Sequence, residues 1–221
     1  MKVNSRHSKL PMNNNVYYPI FLDISKKSCL IVGGGKVAER KVCMLLKFHG
    51  TIKVVSPRVS IPLKKLAEKG KIHLLFKEYD AKDLDGVALV FAATDIDVIN
   101  KKIREDAEER NIPVNVVDDP SLCDFIVPSI VKKDSILIAI STSGTLPFFS
   151  KRLRKDIAKR ITSDYVRYAG IVGRFRKLLI SKVENKKSRQ SIMKKIAKME
   201  ISEINEMGFN KIKETFLGPE K

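Results

Sequence analysis

The chain has 221 residues, 43% apolar and 31% charged, which is a globular composition and not a disordered one. Lys and Arg number 43 against 25 Asp and Glu, a formal charge of +18. No apolar run is long enough for a membrane-spanning helix and residues 1–15 lack an apolar core, so a membrane span and a secretory leader are excluded and a soluble, cytoplasmic protein is expected.

In chain order, residues 1–15 read as a disordered extension. The run Cys29–Val32 reads as a strand and is followed by three glycines. Lys36–Phe48 follows as a helix with Ala38, Val42 and Leu45 on one face, ending at His49-Gly50, where glycine tolerates the left-handed conformation. Ile52–Val55 is the next strand, Ile61–Lys69 a helix and Ile72–Phe76 a strand. Val87–Ala93 is apolar throughout, as a strand buried on both faces must be. Asp97–Arg110 is helical, starting near Thr94-Asp95, and Pro113–Val117 is a strand. This alternation predicts an α/β domain over residues 16–117, a Rossmann-like parallel sheet with helices on both faces. After Val117 the rhythm changes. Phe125–Val131 and Ser135–Ile140 follow each other as strands without a helix, giving a small β-containing region over 118–146. A C-terminal helical domain, 147–221, begins with Pro147–Arg160 and continues with breaks to about Phe216; Ile192, Ile196 and Met199 are one of its apolar faces.

The positive charge is uneven. Residues 151–221 hold 20 Lys/Arg against 8 Asp/Glu, a net of +12. Such a field attracts anions: nucleic acid, an anionic membrane surface or a polycarboxylate. A solvated lysine-rich helical surface gives the same count. Cys29, Cys43 and Cys123 are too scattered for a disulfide framework, and His7, His49 and His73 are isolated, so no metal site is expected.

Gly33-Gly34-Gly35-Lys36-Val37-Ala38 fits GxGxxA between a strand and a helix. Gly33 permits the tight turn, Gly35 lets backbone approach a pyrophosphate, Ala38 allows close helix–sheet packing, and the helix N-terminus at Lys36 and Val37 offers free N–H groups. The carboxylate expected at the end of the second strand is absent; Val55-Ser56-Pro57-Arg58-Val59 stands there. Ser56 suits a ribose hydroxyl, and Arg58 a 2′-phosphate or the adenine face. Thr94 and Asp95 follow the small residues Ala92-Ala93 at another strand end, with Asp95 either a helix N-cap or a cofactor contact. Asp118 closes the Val114–Val117 strand, where ligands bind in open parallel sheets; a carboxylate there can take or relay a proton, or hold a metal ion as it enters a ring. Asp119, before Pro120, suits a turn, and Asp124 a local cap or pair. Ser141-Thr142-Ser143-Gly144-Thr145, before the helix at Pro147, suits an anion or an ordinary hydroxyl cap. No histidine adjoins it, so a serine nucleophile is unsupported.

YPIFLDISKKSCLIVGGGKVAERKVCMLL, FAATD, NVVDDPSLCDFIVPSIV and ILIAISTSGTLP, in that order, resemble the precorrin-2 dehydrogenase/sirohydrochlorin ferrochelatase family, whose module also forms the N-terminal half of siroheme synthases. The likeness runs from about Tyr17 to Arg160. It implies NAD-dependent oxidation of precorrin-2 to sirohydrochlorin, and in some members ferrous iron insertion. It also implies a homodimer, with 118–146 as the dimerisation region. By position it implies that Gly33, Gly35, Lys36 and Val37 line the cofactor and that Ser56–Val59 lie around the adenosine ribose. Asp118 matches the family's essential aspartate, and Ser141 and Thr142 the hydroxyl pair of the substrate loop. Asn115, Ser143, Gly144, Lys151 and Arg152 complete the candidate substrate contacts, with Arg154 and Lys155 as further anion candidates. The loop departs from the family: Ser143 replaces a glycine, Leu146 a serine, and Phe148-Phe149 smaller residues. No methyltransferase module follows, so methylation is expected from another protein. An NAD-sensing module without turnover is the alternative. A nucleic-acid binder is disfavoured by the 7% aromatic content and the lack of a helix-turn-helix, RNA-binding or zinc-finger pattern.

Overall fold

The computed structural model describes residues 17–218; the expected disorder of residues 1–15 lies outside them. The chain divides into two compact units between Val127 and Pro128.

The first unit alternates strand and helix: β1 (Ser28–Val32), α1 (Lys36–Leu46), β2 (Thr51–Val55), α2 (Ile61–Glu68), β3 (His73–Leu75), β4 (Val87–Ala92), α3 (Asp97–Glu109) and β5 (Val114–Val116). The five strands form one parallel sheet in the order β3-β2-β1-β4-β5. Alternation along each strand sorts the core. Cys29, Ile31, Ile52, Val54 and Phe91 pack with Ala38, Val42, Leu45 and Leu63 of α1 and α2 on one face. Leu30, Val32, Val55, Val90 and Ala92 pack with Ile103 and Ala107 of α3 on the other. A sheet buried on both faces explains why Val87–Ala92 is apolar at every position.

Two local expectations are corrected. His49, not Gly50, takes the left-handed conformation after α1 (φ 58°). Gly50 sits close against the core, a Cβ there standing 3.1 Å from Ile24 Cδ1. The strand expected over Phe125–Val131 begins only at Ser129. Residues before it are held on the first unit: the Asp124 amide donates to the Val114 carbonyl at 2.9 Å, and Phe125 meets Phe91 edge-on at 5.4 Å.

In the second unit β6 (Ser129–Lys133) and β7 (Ile136–Ile140) form an antiparallel hairpin, turning at Asp134 (φ 50°). Four helices follow: α4 (Pro147–Arg160), α5 (Ser163–Lys182), α6 (Lys186–Ile196) and α7 (Ile201–Leu217), the last kinked at Gly208 (φ 67°). Ile171, Phe175, Leu179, Ile196, Ile204 and Ile212 are its core. No helix among the described residues is long and apolar enough to cross a membrane. Phe175 is fully buried and its ring centroid lies 6.1 Å from that of Phe216. Phe175→Ala should therefore cost about 3–5 kcal/mol of unfolding free energy, measured by urea denaturation.

Candidate functional site

β1 lies between β2 and β4, so successive crossovers leave it toward opposite edges and the strand ends open a crevice. Gly33, Gly34 and Gly35 join β1 to α1 there. A Cβ on Gly33 (φ 124°) would stand 2.2 Å from the Ala93 carbonyl oxygen, and one on Gly34 1.9 Å from the Arg58 carbonyl oxygen. The loop thus passes between two strand ends with no room for side chains. It is pinned there: the Gly33 amide donates to the Val55 carbonyl and the Ser60 amide to the Gly34 carbonyl, both at 2.9 Å. Gly35 differs, because a Cβ there would meet nothing within 4 Å. It is the N-cap of α1 and offers no capping side chain, so the amides of the first turn have no intrahelical acceptor.

A cleft of about 990 Å³ opens over this loop. Its walls are Gly33–Val37, Ser56–Ser60 after β2, Glu78 and Tyr79 after β3, Ala93–Ile96 after β4, and Val117–Asp118 after β5. Gly33, Gly35, Lys36, Val37, Ser56, Pro57, Arg58, Val59, Thr94, Asp95 and Asp118 are thereby brought together, from four segments of sequence. Ala38 is fully buried in the helix–sheet core instead of on the wall. Ser56 is 7% exposed, and its hydroxyl donates to the Arg58 carbonyl at 2.6 Å, so it closes its own turn. Thr94 donates its hydroxyl to Asn100 Oδ1 at 2.7 Å and accepts the Ile96 amide at 3.2 Å, bracing the entry to α3. The N-cap of α3 is Ile96, which leaves Asp95 exposed on the cleft wall.

Asp118 is exposed and takes a left-handed conformation (φ 63°). The segment behind it is tightly bonded. Asp119 accepts the Ser121 amide at 3.0 Å; Cys123 Sγ accepts the Val116 amide at 3.2 Å; Asp124 accepts the Val114 amide at 3.0 Å and pairs with Arg104 at 2.6 Å. Burial pushes the Cys123 thiol pKa up, which keeps it protonated. Asn115 is buried below the cleft, with its amide nitrogen donating to the Phe125 carbonyl at 3.0 Å.

Glu78 and Tyr79 were not anticipated from sequence. The rule that singled out Asp118, proximity to a parallel strand's carboxyl end, would have found them had it been applied to β3. Tyr79 donates to Asp106 at 3.0 Å, and burial with that bond pushes its pKa up, so it stays a neutral phenol.

In the second unit the hydroxyl loop leads into α4, whose N-cap is Leu146 with no capping side chain, and is closed by its own bonds. Thr142 Oγ1 accepts the Leu146 amide at 3.1 Å, Ser141 Oγ accepts the Ser143 amide at 2.9 Å, and the Thr145 hydroxyl donates to the Thr142 carbonyl at 2.6 Å. Ser143 (φ 51°) and Gly144 (φ 81°) both take the left-handed turn conformation. Lys151 and Arg152 are exposed on α4.

A family described as "Putative NAD(P)-binding" matches residues 20–129. The siroheme synthase of Vesicomyosocius okutanii is 39% identical over 174 residues, 77% of this chain and 37% of that protein. That of Methylobacillus flagellatus is 44% identical over 158 residues, 72% of this chain and 34% of that protein. The chain thus spans little more than a third of these curated relatives. A solved structure of SirC, precorrin-2 dehydrogenase, superposes with a TM-score of 0.71 at 25% identity, covering 91% of this chain and 97% of that one. The chain belongs to the precorrin-2 dehydrogenase/siroheme synthase family.

The residues present fit the dinucleotide of that family. The bare backbone of Gly35 and the unpaired first-turn amides of α1 provide an anion seat, and the cleft runs from it to the ends of β2 and β5. Gly35 has φ −85° and ψ −170°, a conformation that valine adopts freely. Gly35→Val should therefore keep the melting temperature and lose NAD binding, its side chain standing in the anion seat. Gly34→Ala should lower the melting temperature, because its Cβ meets backbone. Thermal melts paired with fluorescence titration of NAD would separate the two.

Proposed function

We propose that this chain oxidises precorrin-2 to sirohydrochlorin with NAD as the acceptor, a step of siroheme biosynthesis. The observation that carries the reading is that the glycine loop and Asp118 line one cleft. Family membership and the likeness to SirC support the substrate.

Bound NAD supplies a two-electron acceptor for hydride. The chain's part is placement and proton handling. The first-turn amides of α1 and the backbone of Gly35 hold the phosphates; Thr94 and Val59 line the walls that orient the dinucleotide. Asp118 accepts the proton that leaves the reduced tetrapyrrole when the hydride departs. The net change is one hydride to the acceptor and one proton to Asp118, then to solvent. Ser141, Thr142, Ser143, Gly144, Lys151 and Arg152 take the substrate's carboxylates in this reading. The surplus positive charge of residues 151–221 favours the approach of a polycarboxylate. Asn115, buried and bonded to the Phe125 carbonyl, supports the strand end.

Ferrous iron enters this reading only as a second substrate. Among the described residues no group of three or more His, Cys, Asp or Glu is placed to hold a metal ion. The protein works as a soluble, cytoplasmic homodimer assembled through residues 118–146.

The test is anaerobic. With precorrin-2 and NAD, sirohydrochlorin and NADH should form in equal amounts. Asp118→Asn should lower turnover at least tenfold while NAD affinity and melting temperature stay unchanged. NAD binding without any tetrapyrrole oxidation would favour a sensor instead. A ferrous-iron arm, compared with a protein-free blank, reads the chelation step, and light scattering reads the dimer.

A further inference from the structure

Lys41 is the one buried-side cation of α1 whose placement neither packing nor the cofactor cleft explains. It lies on the second turn of α1 beside the core residues Ala38, Val42 and Leu45. Its Nζ donates to Asn115 Oδ1 at 3.0 Å and lies 5.1 Å from the centroid of the Phe91 ring. No ion pair to Lys41 occurs among the described residues. A half-buried ammonium without a carboxylate at contact distance loses hydration that a methionine would not have to give up. The charge-assisted bond and the ring face offset part of that cost.

What the lysine touches is the support of Asp118. Asn115, bonded to Lys41 through its oxygen, donates its nitrogen to the Phe125 carbonyl at 3.0 Å and to Cys123 Sγ at 3.5 Å. Cys123 in turn bonds the Val116 amide and the Asp119 carbonyl, at 3.2 Å each. Helix α1, strand β5 and the return segment therefore meet at one amide, and the excursion between them carries Asp118 at its apex in a left-handed conformation. The charged or titratable groups whose fields reach Lys41 are Cys123, Arg40 and Asp118.

We propose that Lys41 is a positioning residue: its ammonium, acting through Asn115, holds the strand end and return segment that present Asp118 to the substrate. This rests on the reading of Asp118 as the proton acceptor. Burial pushes the Lys41 pKa below that of an ordinary lysine, so its charge is lost at a lower pH than usual as pH rises. The positioning effect then weakens on the basic side of the pH profile.

The experiment is the pH dependence of kcat for precorrin-2 oxidation in the full chain, with NAD affinity and melting temperature as controls. Lys41→Met should lower kcat about tenfold, equivalent to ~1.4 kcal/mol, with NAD affinity unchanged. Lys41→Arg, charged at every accessible pH, should retain kcat within about threefold and move the basic limb of the profile upward. If the methionine variant does not fold, Lys41→Gln keeps a donor for Asn115 without the charge and should show the same tenfold loss. Wild-type kcat in both neutral variants, or an unmoved basic limb in Lys41→Arg, overturns the proposal. Asp118→Asn separates the two readings. If it turns over normally, Asp118 is not the acceptor and both readings fall. If it is inactive while the Lys41 variants behave as wild type, only the role of Lys41 falls.

Discussion

The first unit is organised around the passage of the glycine loop between two carbonyl oxygens. Gly33 is pressed against Ala93 and Gly34 against Arg58, at separations that leave no space for a Cβ. That contact draws the ends of β2 and β4 against the end of β1. It sets the width of the crevice and leaves the bare backbone of Gly35 on the cleft wall. The order β3-β2-β1-β4-β5 makes the passage necessary, because the chain must leave β1 between strands that return on both sides. The anion seat is thus a consequence of sheet topology and of close packing. No charged side chain needs to form it.

A second constraint lies at β5, the edge strand of the sheet. On its outer side lies no strand but the return segment, bonded through two side chains and the Asp124 amide. Cys123 and Asp124 bond the backbone amides of Val116 and Val114. This replaces a missing ladder with side-chain acceptors and lets the segment after Asp118 fold back along the strand. The arrangement is costly in one respect, since a thiol and an ammonium, both half-buried, lie together with a buried carboxamide. It yields a strand end whose terminal carboxylate is held on a bonded frame instead of a free loop.

The second unit follows a different principle. Its core is a stripe of isoleucines and aromatic residues along α5, α6 and α7, and its surface is strongly basic. The hydroxyl loop before α4 is ordered by its own bonds. Thr142 and Ser141 accept backbone amides, and Ser143 occupies a left-handed position. These bonds within the loop explain why hydroxyl residues stand there whether or not a ligand is bound, and the left-handed turn explains why a glycine suits position 143 at least as well as serine.

Much of this was legible in the sequence, because the signals are local. Periodicity placed the parallel sheet and its helices, and the end of β5 placed Asp118, since a strand end is visible from a few neighbouring residues. The glycine pattern placed the loop and put Gly35 on the phosphate side, but gave no role to Gly34, which packs against the Arg58 carbonyl. The strand expected from Phe125 failed because an apolar run has the same composition whether it pairs in a sheet or packs edge-on against Phe91. Ser56 looked available for a ribose, yet its hydroxyl is committed to the turn it belongs to. The bond between Lys41 and Asn115 spans 74 residues. No window of sequence contains both partners, and each alone looks like an ordinary helix lysine and strand asparagine. Sequence alone determined most of the elements, the family and the charge, which depend on spacing and composition. Only the tertiary structure decided which polar groups are already satisfied, because satisfaction depends on partners that chain folding brings from far away.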